Sequence, residues 1–386
     1  MVWSVAIAIF LLSAAGVAYV LVLYPLLLDR LARRSAASVR KEFQERTVTI
    51  LLPVHNGEPW LRTKLESILA LDYPARLVNT IVLSDGSTDG TVPLARSFSS
   101  LGRLEVISLI KAGKAKCLNV GLERAEGEIL LYTDVRQVLD PAALRNLVCC
   151  FADPAVGVVS GELIIREGAS REEMNVGIYW RYEKWIRKNL SAIDSVPGAT
   201  GAIYAMRREL ARPLPVDTLL DDVHLPMHAF FAGHRIVFEE SAKAYDEPAP
   251  LATEFRRKVR TLAGVYQLIV AYPALLGARN RMWIHFVSHK VGRLLLPFAL
   301  LAIFASSFWL PPMFRTPALV AQAVFYATAA LDSLVPESAT LKRLSSAART
   351  FVVFMLAALC AASYFFLPAL WFWAPTRQPA AGAKTR

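Results

Sequence analysis

The chain has 386 residues, of which 55% are hydrophobic and 19% charged, with a formal net charge of +11. At a mean hydropathy of +0.38 there is more apolar surface than one soluble core hides, so part of the chain belongs in lipid; the basic balance suits anionic headgroups or an anionic substrate without choosing between them. The four cysteines, Cys117, Cys149, Cys150 and Cys360, have no Cys-x-x-Cys spacing and the six histidines are scattered, which leaves no zinc signature and reads as reduced cytosolic thiols.

Residues 2–28 are almost uninterruptedly apolar, long enough at about 1.5 Å per residue to cross a hydrocarbon core of about 30 Å. They lack the basic start and short apolar segment of a cleaved signal peptide, so residues 1–30 are expected to form an N-terminal transmembrane helix. Arg30, Arg33, Arg34, Arg40 and Lys41 follow; the positive-inside rule then puts the N-terminus outside and the next domain in the cytoplasm.

From Val48 the pattern alternates. Apolar runs at 48–54, 78–83, 104–110 and 129–132 predict strands, and the stretches 59–70, 91–97 and 115–125 predict helices between them. Such alternation predicts right-handed crossovers and a parallel sheet, an α/β nucleotide-binding half. Strand-like runs at 156–160 and 236–239 flank a helix expected over 171–190, and Pro197-Gly198-Ala199-Thr200-Gly201 reads as a bend on the acceptor side of a cleft. Within 263–290, an apolar segment at 264–278 is interrupted by Pro273 and followed by Arg279, Arg281, His285, His289 and Lys290, which suits a helix lying at the membrane surface. Three further spans are expected within 291–375, at 294–310, 317–334 and 351–373, giving about four in all. Lys342, Arg343 and Arg349 would make the last loop cytoplasmic, while a tail carrying Arg377, Lys384 and Arg386 would fall outside.

The polar residues at the strand ends carry the chemistry. Asp134 follows the strand at 129–132, and ligands in open α/β sheets collect at the carboxyl ends of strands; the plainer alternative is a turn cap. In Leu83-Ser84-Asp85-Gly86-Ser87-Thr88-Asp89-Gly90-Thr91, Gly86 permits a tight turn and Asp89 or Thr88 caps the next helix, which leaves Asp85 to accept hydrogen bonds from a ribose or base or to fasten its own turn. Lys111-Ala112-Gly113-Lys114-Ala115-Lys116 opens a helix, where free amides and ammonium groups both favour phosphate oxygens; a solvated basic turn is the alternative. Asp221-Asp222 are adjacent carboxylates, which raise one another's pKa and supply either a general base or a helix cap. Trp180, Tyr182 and Trp185 serve equally to stack on sugar rings or to pack at the membrane interface.

PVHN at 53–56, SDGSTDGT at 84–91, GKAKCLN at 113–119, TDVRQ at 133–137, LDDVHL at 220–225 and RKVRT at 257–261 occur in an order that resembles the membrane-bound family 2 glycosyltransferases, the group of hyaluronan, cellulose and poly-N-acetylglucosamine synthases. The likeness covers 45–262. It implies a GT-A (Rossmann-like) α/β fold with transmembrane helices, and an inverting transfer from a nucleotide diphosphate sugar, a UDP-sugar first of all. The resemblance also implies a saccharide or lipid-linked acceptor, in cell-envelope polysaccharide synthesis at a bacterial inner membrane. A polyprenyl-type acceptor and a non-catalytic nucleotide-sugar-binding scaffold of a polysaccharide assembly complex are the alternatives. Lipid and partner proteins of such an assembly are the implied partners, and nucleic acid is not.

By that resemblance Pro53, His55, Asn56, Asp85, Lys114, Asp134, Arg136 and Arg257 lie on the donor, Trp180, Trp185 and Gly201 on the acceptor, and Asp222, Asp221 and Arg260 do the chemistry. Asp134 matches the first Asp of the family's D-x-D and is the implied ligand of Mg²⁺ or Mn²⁺. Two departures bear on this. Arg136 stands where the second Asp is expected, and Arg257 and Thr261 replace the Gln and Trp of Q-x-x-R-W, which removes an aromatic support for a growing polymer.

Overall fold

In this computed structural model, which describes residues 2–35, 37–166, 171–247, 251–337 and 339–373, the first apolar run becomes β1 (Val48–Val54) in the middle of a sheet. Val48, Ile50, Leu51, Leu52 and Val54 are all buried, as expected of a strand covered on both faces. β2 (Val78–Asp85), β3 (Leu104–Leu109) and β4 (Ile129–Tyr132) lie parallel to it in the order β3-β2-β1-β4, with Val48 opposite both Val78 and Ile129. Helices Glu58–Leu69, Thr91–Ser97 and Lys114–Arg124 are the crossovers. The apolar sides of the first two join the strands in one core that includes Leu61, Leu65, Val82, Ala95 and Leu131.

Beyond β4 the sheet is mixed, which the alternating pattern did not foretell. β5 (Val138–Leu139), β6 (Val156–Ile165), β7 (Tyr204–Arg207) and β8 (Arg235–Asp246) complete the order β3-β2-β1-β4-β7-β6-β8-β5, and β7 is antiparallel to both β4 and β6. The reversal has a functional consequence. Tyr204 opens β7 opposite Tyr132, the last residue of β4, so the 197–203 segment arrives at the carboxyl end of β4, beside Asp134.

The chain separates into two units. One takes in Ser35–Arg166 and Arg187–Glu247, the other Met1–Arg34, Glu167–Ile186 and Pro248–Thr376. All eight strands belong to the first.

In the second, three helical segments among the described residues are long and apolar enough to cross a membrane: Val2–Arg34, Trp283–Ser307 and Lys342–Phe365. The Pro312–Ala330 helix, where a further span was expected at 317–334, carries Arg315 and Gln322 and is not among the three. The span expected at 294–310 starts earlier, at Trp283, so His285, His289 and Lys290 lie inside it and not on a surface helix; His289 is buried and its Nε2 sits 3.2 Å from Glu183 Oε1. The span expected at 351–373 runs instead over 342–365, with Pro368 beyond its end. Lys342 and Arg349 are therefore helical and both meet Asp332, at 3.3 and 3.4 Å. The segment from 263 continues a helix, Leu251–Ala271, that stops just before Pro273. Arg377, Lys384 and Arg386 lie outside the described residues.

Candidate active site

The site forms where β1, β2 and β4 end. The chain leaves β1 into Asn56, whose φ of 48° lies in the left-handed region that Asn tolerates. Its side-chain oxygen accepts from the Thr88 amide at 2.8 Å and its own amide donates to Ser87 Oγ at 3.1 Å. Asp89 accepts from the Thr91 amide at 3.1 Å, and Glu58 Oε2 accepts from Gly90 at 2.7 Å. PVHN and SDGSTDGT are thus one hydrogen-bonded loop pair, with Pro53 inside β1 and His55 Nδ1 2.7 Å from the Asp85 carbonyl.

Asp85 is only 8% exposed, and its carboxylate accepts from the amides of Ala112 at 2.7 Å and Gly113 at 3.0 Å. It fastens the neighbouring lysine loop and not its own turn. Gly86 allows this: its φ is +59°, and a Cβ there would stand 2.7 Å from the Lys111 amide nitrogen. The same carboxylate bears on Cys117, whose thiol is pushed up to about 12, first by burial and then by Asp85; a thiol that stays protonated is filler.

Fixed in this way, Lys114 opens its helix and reaches across to two acids, with Nζ 2.9 Å from Asp134 Oδ1 and 3.0 Å from Asp221 Oδ2. Burial by itself would lower its pKa, but Asp134 and then Asp221 outweigh it and hold the ammonium charged. Asp221 and Asp222 are the first two residues of the helix Asp221–Phe231, yet neither caps it through its side chain. Asp221 faces Lys114, and Asp222 Oδ2 accepts from the Gly201 amide at 2.9 Å. Burial and the neighbouring Asp221 push the Asp222 carboxyl up to about 6, against the pull of Lys114.

Gly201 lies between the two sides of the site. A Cβ there would be 3.2 Å from Asp222 Oδ2 and 3.5 Å from Asp134 Oδ2, so only glycine leaves the gap between those carboxylates open. Beneath them Tyr132 and Tyr204 stack with ring centroids 4.6 Å apart and planes within 5°.

Asp85, Lys114, Asp134, Asp221, Asp222 and Gly201 therefore come together, while Arg136 turns aside. Its Nη2 donates to Asp246 Oδ2 at 2.7 Å, an oxygen that also accepts from Gln137 Nε2 at 2.7 Å. The remaining expected residues belong to the second unit and find partners there. Arg257 pairs with buried Glu254 at 2.7 Å and lies over Trp180, Arg260 lies over Trp373, and Trp185 packs near Tyr182. Sequence reasoning missed Lys64, Thr133 and Asp246. A signal for the first existed, since a lysine between Leu61, Leu65 and Ile68 interrupts the apolar face of its helix.

Residues 49–214 match the model of glycosyl transferase family 2. The chain carries a family 2 glycosyltransferase domain. Among curated relatives, the poly-β-1,6-N-acetyl-D-glucosamine synthase of Staphylococcus epidermidis is 22% identical over 240 residues, covering 60% of this chain and 58% of that protein. The probable glycosyltransferase YdaM of Bacillus subtilis is 25% identical over 252 residues, covering 59% and 57%. The chain thus spans less than two thirds of the length of either. Among solved structures, the mannosyltransferase PcManGT of Pyrobaculum calidifontis, in complex with GDP-Man and Mn²⁺, superposes with a TM-score of 0.75 at 23% identity, over 95% of this chain and 99% of that one. That likeness establishes the GT-A fold.

Proposed function

We propose that the α/β unit transfers a sugar, with inversion, from a nucleotide diphosphate donor to a hydroxyl of a saccharide or lipid-linked acceptor at the cytoplasmic membrane face, in the synthesis of an envelope polysaccharide. The observation that carries the reading is the single ammonium of Lys114 shared by Asp134 and Asp221, with Asp222 held at the Gly201 amide next to them. A UDP-sugar is the first donor to test; the solved complex with GDP-Man makes a guanosine donor the second.

In this reading the acceptor oxygen attacks the anomeric carbon as the bond from that carbon to the diphosphate oxygen breaks, and the acceptor proton passes to Asp222. A carboxylate poised near 6 is ionised at neutral pH yet more basic than an ordinary Asp, which is what general-base catalysis favours. Lys114 meets the charge that grows on the leaving diphosphate. Asp85, with His55 and Asn56, shapes the loops that face the nucleoside.

The fit to a divalent cation is limited. Among the described residues no three His, Cys, Asp or Glu side chains come together as ligands, and Arg136 in the second D-x-D position is engaged by Asp246. Asp134 alone would hold Mg²⁺ or Mn²⁺, with water and diphosphate oxygens completing the shell, an arrangement common for hard cations. When bound, the ion would neutralise the leaving diphosphate. Incubating the membrane-embedded protein with a panel of nucleotide sugars and measuring nucleotide release tests the reading, which fails if no donor is turned over with any saccharide or lipid-linked acceptor.

A further inference from the structure

Lys64 lies in the core below the site and is left unexplained by the chemistry above. It is 1% exposed, and its Nζ donates to Thr133 Oγ1 at 2.6 Å and to the Gln137 carbonyl at 2.7 Å. Neither acceptor is an anion; the carboxylate whose field reaches the ammonium is that of Asp134. The Thr133 hydroxyl donates onward to the Ala202 carbonyl at 2.7 Å, and the preceding residue, Gly201, holds Asp222 through its amide. One side chain therefore links the turn that bears Asp134 to the bend that bears down on Asp222. An ammonium taken out of water without a directly paired anion is expensive, and an unbranched apolar side chain would fill the same volume.

We propose that Lys64 is a positioning residue for sugar transfer: it locks the 133–137 turn against the 201–202 bend, so that Asp134 and Asp222 keep a fixed separation across Gly201. The proposal rests on the assignment of Asp134 to the donor and Asp222 to the acceptor. A displacement reaction depends steeply on such placement, since a misplacement of about 1 Å costs about a hundredfold.

The test compares Lys64→Met, Thr133→Val, Thr133→Ser and the Lys64→Met/Thr133→Val double variant with the parent, using UDP-N-acetylglucosamine and GDP-mannose as donors. Nucleotide release and thermal melting are the readouts. Lys64→Met and Thr133→Val are each expected to lower kcat by about tenfold or more, with a smaller change in donor KM. Melting should move by no more than about 3 °C, because relief of the buried charge offsets the acceptor left unpaired at Gln137. Thr133→Ser, which keeps the hydroxyl, should restore kcat to within about threefold of the parent, and the double variant should be no slower than the slower single one, as for two parts of one linkage.

Parental kcat in Lys64→Met, independent effects that multiply in the double variant, or loss of cooperative melting in both single variants would each overturn the proposal. Asp222→Asn separates the layers. If it is inactive while Lys64→Met is fully active, the inference falls and the functional reading stands; if Asp222→Asn turns over normally, the reading itself falls.

Discussion

Replacing Asp222 by Asn removes a charge and a base while keeping the shape, because the amide oxygen can still accept from Gly201. The structure gives the size of the effect on stability. A carboxyl moved from 3.8 to about 6 costs the fold at most about 3 kcal/mol when ionised, at about 1.36 kcal/mol per pK unit. The side chain is not fully buried and Lys114 stands nearby, so about 1–2 kcal/mol is the better figure. The sign follows from linkage: a carboxyl whose pKa is higher in the folded state binds its proton more tightly there. Its penalty is absent below about pH 4, grows as the pH rises through about 6, and is complete above that.

Asp222→Asn is neutral throughout. It should be the more stable protein at pH 7 by about 1–2 kcal/mol and should lose that advantage by about pH 4. Its turnover should fall by about a hundredfold or more, the scale of a missing general base, with donor KM changed only a few-fold. In the parent, kcat/KM should rise with pH through about 6 and then level, and Asp222→Asn should lack that limb. The assays are nucleotide release across pH 5 to 8 and denaturant unfolding of the detergent-solubilised protein at both ends of the range. Turnover near the parent's would refute the base assignment. A stability difference that does not vary with pH would refute the electrostatic account of the site.

Lys114→Met leaves Asp134 and Asp221 without their shared cation; it should destabilise the α/β unit by about 2 kcal/mol, less than a fully buried pair because Lys114 is 24% exposed. It should also move the rising limb of kcat/KM above that of the parent, since Lys114 is what draws the Asp222 pKa down, and an unmoved limb would deny the coupling. EDTA should abolish transfer, Mg²⁺ or Mn²⁺ should restore it, and Asp134→Ala should respond to neither ion; full activity in EDTA would exclude the metal. A reporter fused after Arg40 should score as cytoplasmic, and a periplasmic or lumenal signal would reverse the topology.

Much of this was legible in the sequence because the first four strands and their helices are local and their patterns are strong. Apolar runs bounded by Gly, Asp and Pro fix β1 to β4 nearly to the residue, and a strand end followed by Asp or Lys marks the cleft. What escaped depends on long-range pairing. Nothing in Tyr204–Arg207 announces that β7 runs antiparallel to β4, and it is this reversal that brings Gly201 between Asp134 and Asp222. The long apolar helices end elsewhere than expected for a different reason. Charged and polar residues such as His289, Lys342 and Arg349 read as loop or surface in the chain, but they enter helices because partners await them there: Glu183 is within hydrogen-bond reach of His289, and Asp332 pairs with Lys342 and Arg349.

Arg136 shows how geometry decides what a substitution means. In the chain it reads as a cation placed where a metal ligand is expected, so that either Asp134 holds the metal with water and diphosphate oxygens or Arg136 takes the metal's place. In the fold its guanidinium is pinned by Asp246, which is itself buried at the end of β8 and takes a second hydrogen bond from Gln137. A guanidinium committed to a buried carboxylate has little charge left for a diphosphate, and moving it would strand Asp246 unpaired, at a cost of about 3–5 kcal/mol for a buried pair. The cleft is then left with three carboxylates, Asp134, Asp221 and Asp222, around the ammonium of Lys114. A donor bringing further negative charge into that cluster meets net repulsion unless a cation comes with it, and a divalent ion bridges several oxygens at once where a guanidinium cannot. The loss of the second aspartate therefore argues for a cation carried in on the donor's phosphates and steadied by Asp134 alone. Arg136→Met should accordingly reduce stability through Asp246 while leaving the response to EDTA as it is in the parent; a variant that became independent of chelation would show that Arg136, and not the diphosphate, governs the ion.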